Sequence, residues 1–135
     1  MQSPENRYEK KKLTLAGCVI IRDNKILLLH RIKTDWFELP GGQVEAGETP
    51  AIAAQRELKE ELSCDVSLGE KIGAKNFVEN GQTMEYQWFR ASIPEDQMPI
   101  IGEPEKFDRF EWISIYELAL HKLSPNMKNL VEHLV

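Results

Sequence analysis

The segment that most constrains this chain begins at Thr49-Pro50 and continues as AIAAQRELKEEL, with no internal glycine or proline. Threonine is a favoured N-cap and proline a favoured first helical residue. The run itself is built from strong helix formers, so the sequence predicts a helix over 50–62. At about 100° per residue, Ala51, Ala54, Leu58 and Leu62 form one apolar stripe. A helix with such a stripe needs a sheet or another helix to pack on, and the flanking sequence supplies strands. Residues 13–22 (LTLAGCVIIR) and 25–31 (KILLLHR) are apolar and rich in β-branched side chains, with Asp23-Asn24 between them as a tight turn, which predicts a hairpin. Residues 65–78 and 83–93 read as a second hairpin around Asn80-Gly81; Asn-Gly favours the positive φ angles of a two-residue hairpin turn.

The remaining segments complete one domain. Residues 32–48 read as loop, punctuated by Pro40, Gly41, Gly42 and Gly47. Residues 94–106 carry three prolines and four acidic residues and read as a mobile loop. Residues 107–113 read as a last strand, and 116–121 and 125–134 as C-terminal helical segments. The order strands, helix, strands, helix points to an α/β (α+β) fold, a mixed sheet with helices on its faces. At 135 residues the expectation is a single domain over 1–135 that needs no disulfide to fold.

Charge and cysteine content exclude several function classes. The net charge is −5, so no overall field draws the chain to nucleic acid or an anionic membrane. A polyphosphate substrate would be repelled unless a metal or a local basic group offset that charge. Cys18 and Cys64 form no CxxC pair and read as buried, reduced thiols of a cytoplasmic protein. The opening MQSPENRYEKKK holds no apolar core of a secretory leader. No apolar run approaches the roughly 20 residues of a membrane span. The basic patch at residues 10–12 is too short to mark an address.

The chemistry is concentrated on the helix. Glu57, Glu60 and Glu61 stand at i, i+3 and i+4 and share a face, with Lys59 pointing elsewhere. Such a cluster is either a solvated acidic face or a site for a hard cation, because Mg²⁺ and Mn²⁺ favour carboxylate oxygens. A bound cation would also remove the repulsion from a polyphosphate. Ala53, one turn before Glu57, leaves room for a substrate above the helix on this reading. Arg56 is placed to pair with a neighbouring glutamate through its rigid fork. Glu48 lies just before the N-cap, at the positive end of the helix. The paired glycines of Leu39-Pro40-Gly41-Gly42 allow backbone to approach a ligand or metal closely.

Taken together the spacing is specific: Gly42, five residues, Glu48, seven residues, then Arg56-Glu57-Leu58-Lys59-Glu60-Glu61-Leu62-Ser63-Cys64. This resembles the Nudix box, Gly-x5-Glu-x7-Arg-Glu-U-x-Glu-Glu-x-Gly-U, where U is a bulky aliphatic residue. Every polar and charged position matches; Ser63-Cys64 replaces the final Gly-U. WFELPGGQVEAGETP is similar to the approach to that box, and the run from Arg109 to Leu118 is similar to a Nudix ending. The resemblance extends over about residues 13–120.

The resemblance implies an α/β/α sandwich and a hydrolase that cuts a phosphoanhydride bond in a nucleoside diphosphate derivative, with Mg²⁺ as cofactor and Mn²⁺ as a substitute. It implies metal binding by Glu57, Glu60 and Glu61, with Glu48 and the Gly41 carbonyl as further donors. Arg56 is similar to the orienting arginine, Leu58 to the buried anchor, and Gly42 to the glycine that lets substrate close in. Glu57, Glu60 and Arg56 are then the catalytic residues of the box. A general base outside the box falls on Glu105 or Glu103. The family glycine at position 63 turns the chain with φ > 0, so Ser63 is expected to end the helix differently or to cost about 1 kcal/mol. The segment GEPEKFDRFEW resembles nucleoside triphosphate pyrophosphohydrolases, which makes a (d)NTP, cleaved to (d)NMP and pyrophosphate, the leading substrate. ADP-ribose or a nucleotide sugar is the alternative.

Base stacking is open to Trp36, Phe37, Phe77, Tyr86 or Trp88; core packing is the favoured reading of all but Trp36, for which stacking and packing weigh evenly. Arg31 and Arg90 are phosphate-contact candidates, or simply exposed strand arginines. A non-catalytic nucleotide sensor would usually have lost a box glutamate, and a diphosphate isomerase would want a cysteine in the site. The family resemblance also allows a homodimer, with a nucleotide as the small-molecule partner.

Overall fold

The computed structural model describes residues 12–134; most of the 10–12 basic patch, and the ends of the expected 1–135 domain, lie outside the described residues. Strands β1 (Leu13–Arg22) and β2 (Lys25–Arg31) form the first hairpin, with Ile21 opposite Ile26. Asp23 and Asn24 turn it at φ 50° and 62°. Two positive φ angles match the right-handed twist of the flanking strands, and Asp and Asn tolerate them better than most residues. The second hairpin, β5 (Ser67–Glu79) and β6 (Gln82–Ser92), turns in the same way at Asn80-Gly81, φ 50° and 74°.

Helix α1 (Pro50–Leu62) starts as its sequence requires, with Thr49 Oγ1 accepting the Ile52 N–H at 3.2 Å. Strand β7 (Phe107–Ser114), a 3-10 turn (Ile115–Leu120) and helix α2 (Pro125–Leu134) complete the chain. The segment read as loop over 32–48 contains two three-residue strands, β3 (Trp36–Glu38) and β4 (Gly41–Gln43). Their partners are remote: β3 pairs with β2 and β4 with β1. Pairing of that kind leaves no local signature in a stretch of proline and glycine.

β1 is the hub of the mixed sheet. It runs parallel to β6 from Leu13↔Met84 to Ile20↔Ala91, and antiparallel to β4 and β2. Alternate side chains enter two cores. Cys18, Ile20, Leu27 and Leu29 pack with Ala54, Leu58 and Leu62 of α1. Val19, Ile26 and Leu28 pack with Met127 and Leu130 of α2. Both faces of β1 and β2 are therefore covered, which is why KILLLHR reads as a continuous apolar run rather than an alternating one. The result is the α/β/α sandwich.

Three local expectations change. Ala53 is fully buried in the α1 core instead of leaving room above the helix. The buried arc of α1 is wider than a single stripe because it also takes in Glu61.

The 94–106 segment is docked, not free. The Ile100 N–H donates to the Leu62 carbonyl and the Gly102 N–H to the Glu61 carbonyl, both at 2.9 Å. These are helix-end carbonyls with no partner inside the helix, so the loop acts as a second C-cap. A β-carbon on Gly102 would collide with the Glu60 carbonyl oxygen; glycine is what permits the approach.

Ser63 occupies the left-handed region, φ 56° and ψ 31°, with its N–H on the Lys59 carbonyl. The helix thus ends as a glycine would end it, with a serine bearing the steric cost.

Leu58 and Leu62 are fully buried, each worth about 1.5–3 kcal/mol of burial. Leu58→Ala is expected to lower unfolding free energy by about 3 kcal/mol. Ser63→Gly is expected to raise it by about 1 kcal/mol. Urea denaturation monitored by circular dichroism measures both, and a Ser63→Gly protein no more stable than wild type would contradict the helix-end account.

Candidate active site

The guanidinium of Arg56 organises the carboxylates around the start and middle of α1. Its Nε and Nη2 donate to the two oxygens of Glu48, at 2.7 and 2.9 Å. Nη1 donates to Glu57 Oε1 at 3.0 Å and reaches Glu60 at 3.3 Å. Nη2 also donates to the Gln43 carbonyl, tying the helix to the end of β4. The Arg56 hydrogen bonds hold the Glu48 carboxyl below its ordinary range, and the Glu45 N–H adds to this. Arg56 in turn is held charged, first by Glu48 and then by Glu57 and Glu60.

Backbone glycines bring the next two glutamates in. A β-carbon on Gly42 would lie 2.5 Å from the Glu57 Cδ and within 2.8 Å of both its oxygens, so the Glu57 carboxylate rests directly on β4 backbone. Glu61 is 3% exposed and accepts the Gly41 N–H at 2.8 Å. Gly41 itself leaves no space for a side chain, because a β-carbon would strike the Ala16 carbonyl and the Gly17 Cα of β1. The close approach inferred from Pro40-Gly41-Gly42 is therefore an approach to β1 on one side and to two carboxylates on the other.

Burial pushes the Glu61 carboxyl well above the usual carboxylate range; the Gly41 N–H opposes this, while the charges of Glu57, Glu38 and Glu103 reinforce it. Glu57 is raised by burial too, offset by Arg56, with Glu60 and Glu103 pushing it up. Glu60 is the outermost of the three, its side chain 48% exposed.

Of the two carboxylates outside the helix, Glu103 is half-buried, its charge acts on both Glu57 and Glu61, and Lys106 Nζ lies 3.2 Å from its Oε2. Glu105 is exposed. Glu103 owes its place to the Gly102 backbone contact, which its own sequence position does not announce.

Among the described residues no three acidic, imidazole or thiolate side chains converge as a ready-made metal cluster. Arg56 Nη1 stands between Glu57 and Glu60, and Glu48 lies on the other edge of the same guanidinium. The donor set is nonetheless all oxygen, with a buried carboxylate facing like charges. That chemistry suits a hard divalent cation, which would relieve the repulsion as Arg56 does in part.

A cleft of about 250 Å³ is walled by Trp36, Phe77, Tyr86, Arg31, Glu38 and Asn126; none of the α1 carboxylates lines it, and its link to them runs through Tyr86 beside Gly41 and the charge of Glu38 on Glu61. Glu38 accepts from Arg31 Nε at 2.5 Å, from Arg31 Nη2 at 2.9 Å and from the Trp36 indole N–H at 2.8 Å. Three of the aromatic candidates thus line one pocket. The other two do not: Phe37 is buried in the α2 core, and Trp88 is fully buried with its indole N–H on Asn126 Oδ1 at 3.0 Å. Arg90 lies away from the site, 3.8 Å from Glu70. Glu38 and Asn126 were missed by sequence reasoning. Glu38 sits two residues before Pro40, where a pocket-rim carboxylate has no distinguishing pattern.

The match to known proteins is decisive at the level of family. The NUDIX domain family model matches residues 11–134. This chain belongs to the Nudix family. It is 32% identical over 138 aligned positions to the RNA pyrophosphohydrolase of Rickettsia bellii, covering 84% of each chain. It is 28% identical over 123 positions to an 8-oxo-(d)GTP phosphatase of Mycolicibacterium smegmatis, covering 79% of this chain and 37% of that one. The chain therefore spans little more than a third of the length of the mycobacterial relative. A crystal structure of a MutT NUDIX hydrolase from Burkholderia pseudomallei superimposes with TM-score 0.81 over 93% of this chain and 100% of that one, at 23% identity. No helix among the described residues is long and apolar enough to cross a membrane.

The raised Glu61 carboxyl gives a pH test on this Nudix chain free of divalent metal. A carboxyl whose folded pKa lies above its unfolded value stabilises the fold below the unfolded value, near 4.5, and that contribution is lost as pH rises through the folded value. In EDTA, Glu61→Gln, which keeps the acceptor for the Gly41 N–H, is expected to be more stable than wild type at pH 8, with the advantage disappearing by pH 4. Thermal melts across that range measure it; a Glu61→Gln protein less stable than wild type at pH 8 would contradict the buried-charge account.

Proposed function

We propose that this chain hydrolyses a phosphoanhydride bond of a nucleoside diphosphate derivative, with a (d)NTP cleaved to (d)NMP and pyrophosphate as the leading reaction. The observation that carries this reading is adjacency. An aromatic cleft is linked to the α1 carboxylates by two of its own walls: Glu38, whose charge acts on Glu61, and Tyr86, which lies beside the Gly41 that donates to Glu61. A ligand with an aromatic base at one end and a polyphosphate at the other suits both. Relatives named for 8-oxo-(d)GTP and for RNA pyrophosphate hydrolysis support the reaction class; ADP-ribose or a nucleotide sugar remains the alternative substrate.

The base end would use Trp36, with Phe77 and Tyr86, for stacking. Asn126 adds polar recognition. An indole N–H only donates, so the Trp88 contact assigns Asn126 Oδ1 and leaves its amide N–H groups for a base carbonyl. Glu57, Glu60 and Glu61, with Glu48 and the Gly41 carbonyl, would hold Mg²⁺ or Mn²⁺. Bound there, the cation would supply Lewis acidity and neutralise phosphate charge. Arg56 would orient Glu57 and Glu60 toward it. Gly42, with no side chain, would let the phosphates close on the Glu57 carboxylate. A carboxylate outside the helix would orient the attacking water and take its proton; the placement of Glu103 favours it over Glu105. We infer a single catalytic unit working in the cytoplasm, as a homodimer.

The sensor reading lacks a supporting observation, since every box carboxylate is present. The isomerase reading is opposed by Cys18, which is buried with its Sγ on the Ala54 carbonyl and its thiol pushed up to about 12 by burial and by Glu61.

Phosphate and pyrophosphate release from NTPs, dNTPs, ADP-ribose and nucleotide sugars, with Mg²⁺ or Mn²⁺, tests the proposal. Wild type is expected to turn over at least one (d)NTP. Glu60→Gln and Glu61→Gln are expected to lower kcat by about 10²-fold or more with the fold intact, and Glu103→Gln to lower it more than Glu105→Gln. Unchanged turnover in both box variants, or no turnover of any substrate, would overturn it.

A further inference from the structure

We propose that Glu38 is a positioning residue for the nucleoside end of the substrate, holding Arg31 and Trp36 as one preformed wall of the aromatic cleft. The inference rests on the nucleotide reading above and adds a specificity-determining role for a carboxylate outside the Glu57–Glu60–Glu61 group.

The geometry begins in β3, which has only three residues. Side chains alternate along a strand, so Phe37 goes into the α2 core while Trp36 and Glu38 share the other face. Arg31 on β2 is the direct cross-strand partner of Trp36. One carboxylate therefore lies within reach of both neighbours. It takes a two-point contact from Arg31 through Nε and Nη2, and its Oε1 also accepts the Trp36 indole N–H.

Arg31 is flanked on its other side by the Phe107 ring, 4.8 Å from the guanidinium carbon. Glu38 is 16% exposed and Arg31 32%, so the carboxylate is the better shielded of the two. β3 is itself fixed by the Phe37 N–H on the Lys122 carbonyl and the Ser124 N–H on the Phe37 carbonyl, each 2.9 Å. That brings the opposite wall, with Ser124 and Asn126, into register with the first.

The consequence is preorganisation. An arginine and a tryptophan free to choose rotamers would have to be ordered when a ligand binds, and that cost weakens affinity. With Glu38 in place the ordering is done on folding. Glu38 uses Arg31 Nε and Nη2 and Phe107 covers one face of the guanidinium, so Nη1 and the face away from Phe107 are what this wall offers a nucleotide.

Glu38 also has a charge that acts on Glu61, so the alternative is an effect on the chemical step. A KM-against-kcat split separates the two. Glu38→Gln keeps an acceptor for the indole but sets an amide donor against Arg31 Nη2. On the (d)NTP that wild type turns over best, it is expected to raise KM about tenfold with kcat within about twofold. In an Arg31→Gln background the same change is expected to alter KM by less than about twofold, because its target is gone.

A second readout is independent of turnover. In EDTA, AMP, GMP, CMP and UMP are titrated into ¹⁵N-labelled protein, and the Trp36 indole N–H, assigned with Trp36→Phe, is followed. At least one monophosphate is expected to shift that signal, and Glu38→Gln to weaken its binding by a similar factor. A fall in kcat at unchanged KM, additive effects of Glu38→Gln and Arg31→Gln, or a lower melting temperature with neither KM nor monophosphate affinity changed would each overturn the positioning role. So would a Trp36 signal indifferent to all four monophosphates. Failure of the nucleotide reading itself would show separately, as wild-type protein inert toward every triphosphate.

Discussion

Much of this molecule depends on how Glu61, a carboxylate with almost no contact with water, is accommodated. It stands in the last turn of α1, on the arc that otherwise packs against the sheet, and it accepts the Gly41 N–H. Burying a charge is costly unless it is paired or bonded, and here the charges of Glu57, Glu38 and Glu103 all disfavour the carboxylate, against the pull of Arg31. The surroundings reflect that tension. β4 is glycine at two consecutive positions: Gly41 gives its N–H to Glu61, Gly42 leaves the space that the Glu57 carboxylate occupies, and Arg56 draws Glu48, Glu57 and Glu60 together. A sheet-packing helix that wanted stability alone would carry leucine at position 61. The carboxylate is a strained choice of the kind that marks function.

The same helix end couples fold to site through backbone alone. The Leu62 and Glu61 carbonyls, which the helix cannot satisfy, are taken by Ile100 and Gly102. Because Gly102 has no side chain, the loop lies on α1 closely enough to bring Glu103 toward Glu57 and Glu61. Acidic residues distant in sequence are thus gathered by a capping interaction, and the left-handed Ser63 turns the chain away beneath it. Stability of the helix terminus and placement of the outer carboxylate are one event.

What could be read from the sequence divides along a physical line. The helix, both hairpins and the glutamate spacing are local properties: Thr49-Pro50, Asp23-Asn24 and Asn80-Gly81 each state their conformation within a few residues. The family resemblance then supplied a fold that the sheet order bears out. What the sequence hid is non-local. β3 and β4 exist because β2 and β1 offer them partners. Ala53 is buried because the helix sinks further into the sheet than its apolar stripe alone suggests. The docking of residues 94–106 uses backbone N–H groups that any residue carries, so its prolines and acids pointed to mobility instead. Glu38 and Asn126 acquire roles only once β3, β2 and α2 are brought around one cleft. Trp36 was legible as a candidate because it adjoins Pro40-Gly41-Gly42; its orientation by Glu38 was not.

The central claim is that the α1 carboxylates form a divalent cation site around the buried Glu61, and Mn²⁺ binding tests it most directly. Electron paramagnetic resonance of free Mn²⁺, titrated with wild type, Glu57→Gln and Glu61→Gln, reports affinity without any assumption about substrate. The account predicts saturable binding to wild type, weakened about tenfold or more in either variant. Wild-type protein that leaves the Mn²⁺ signal undiminished, or variants that bind as tightly as wild type, would contradict it.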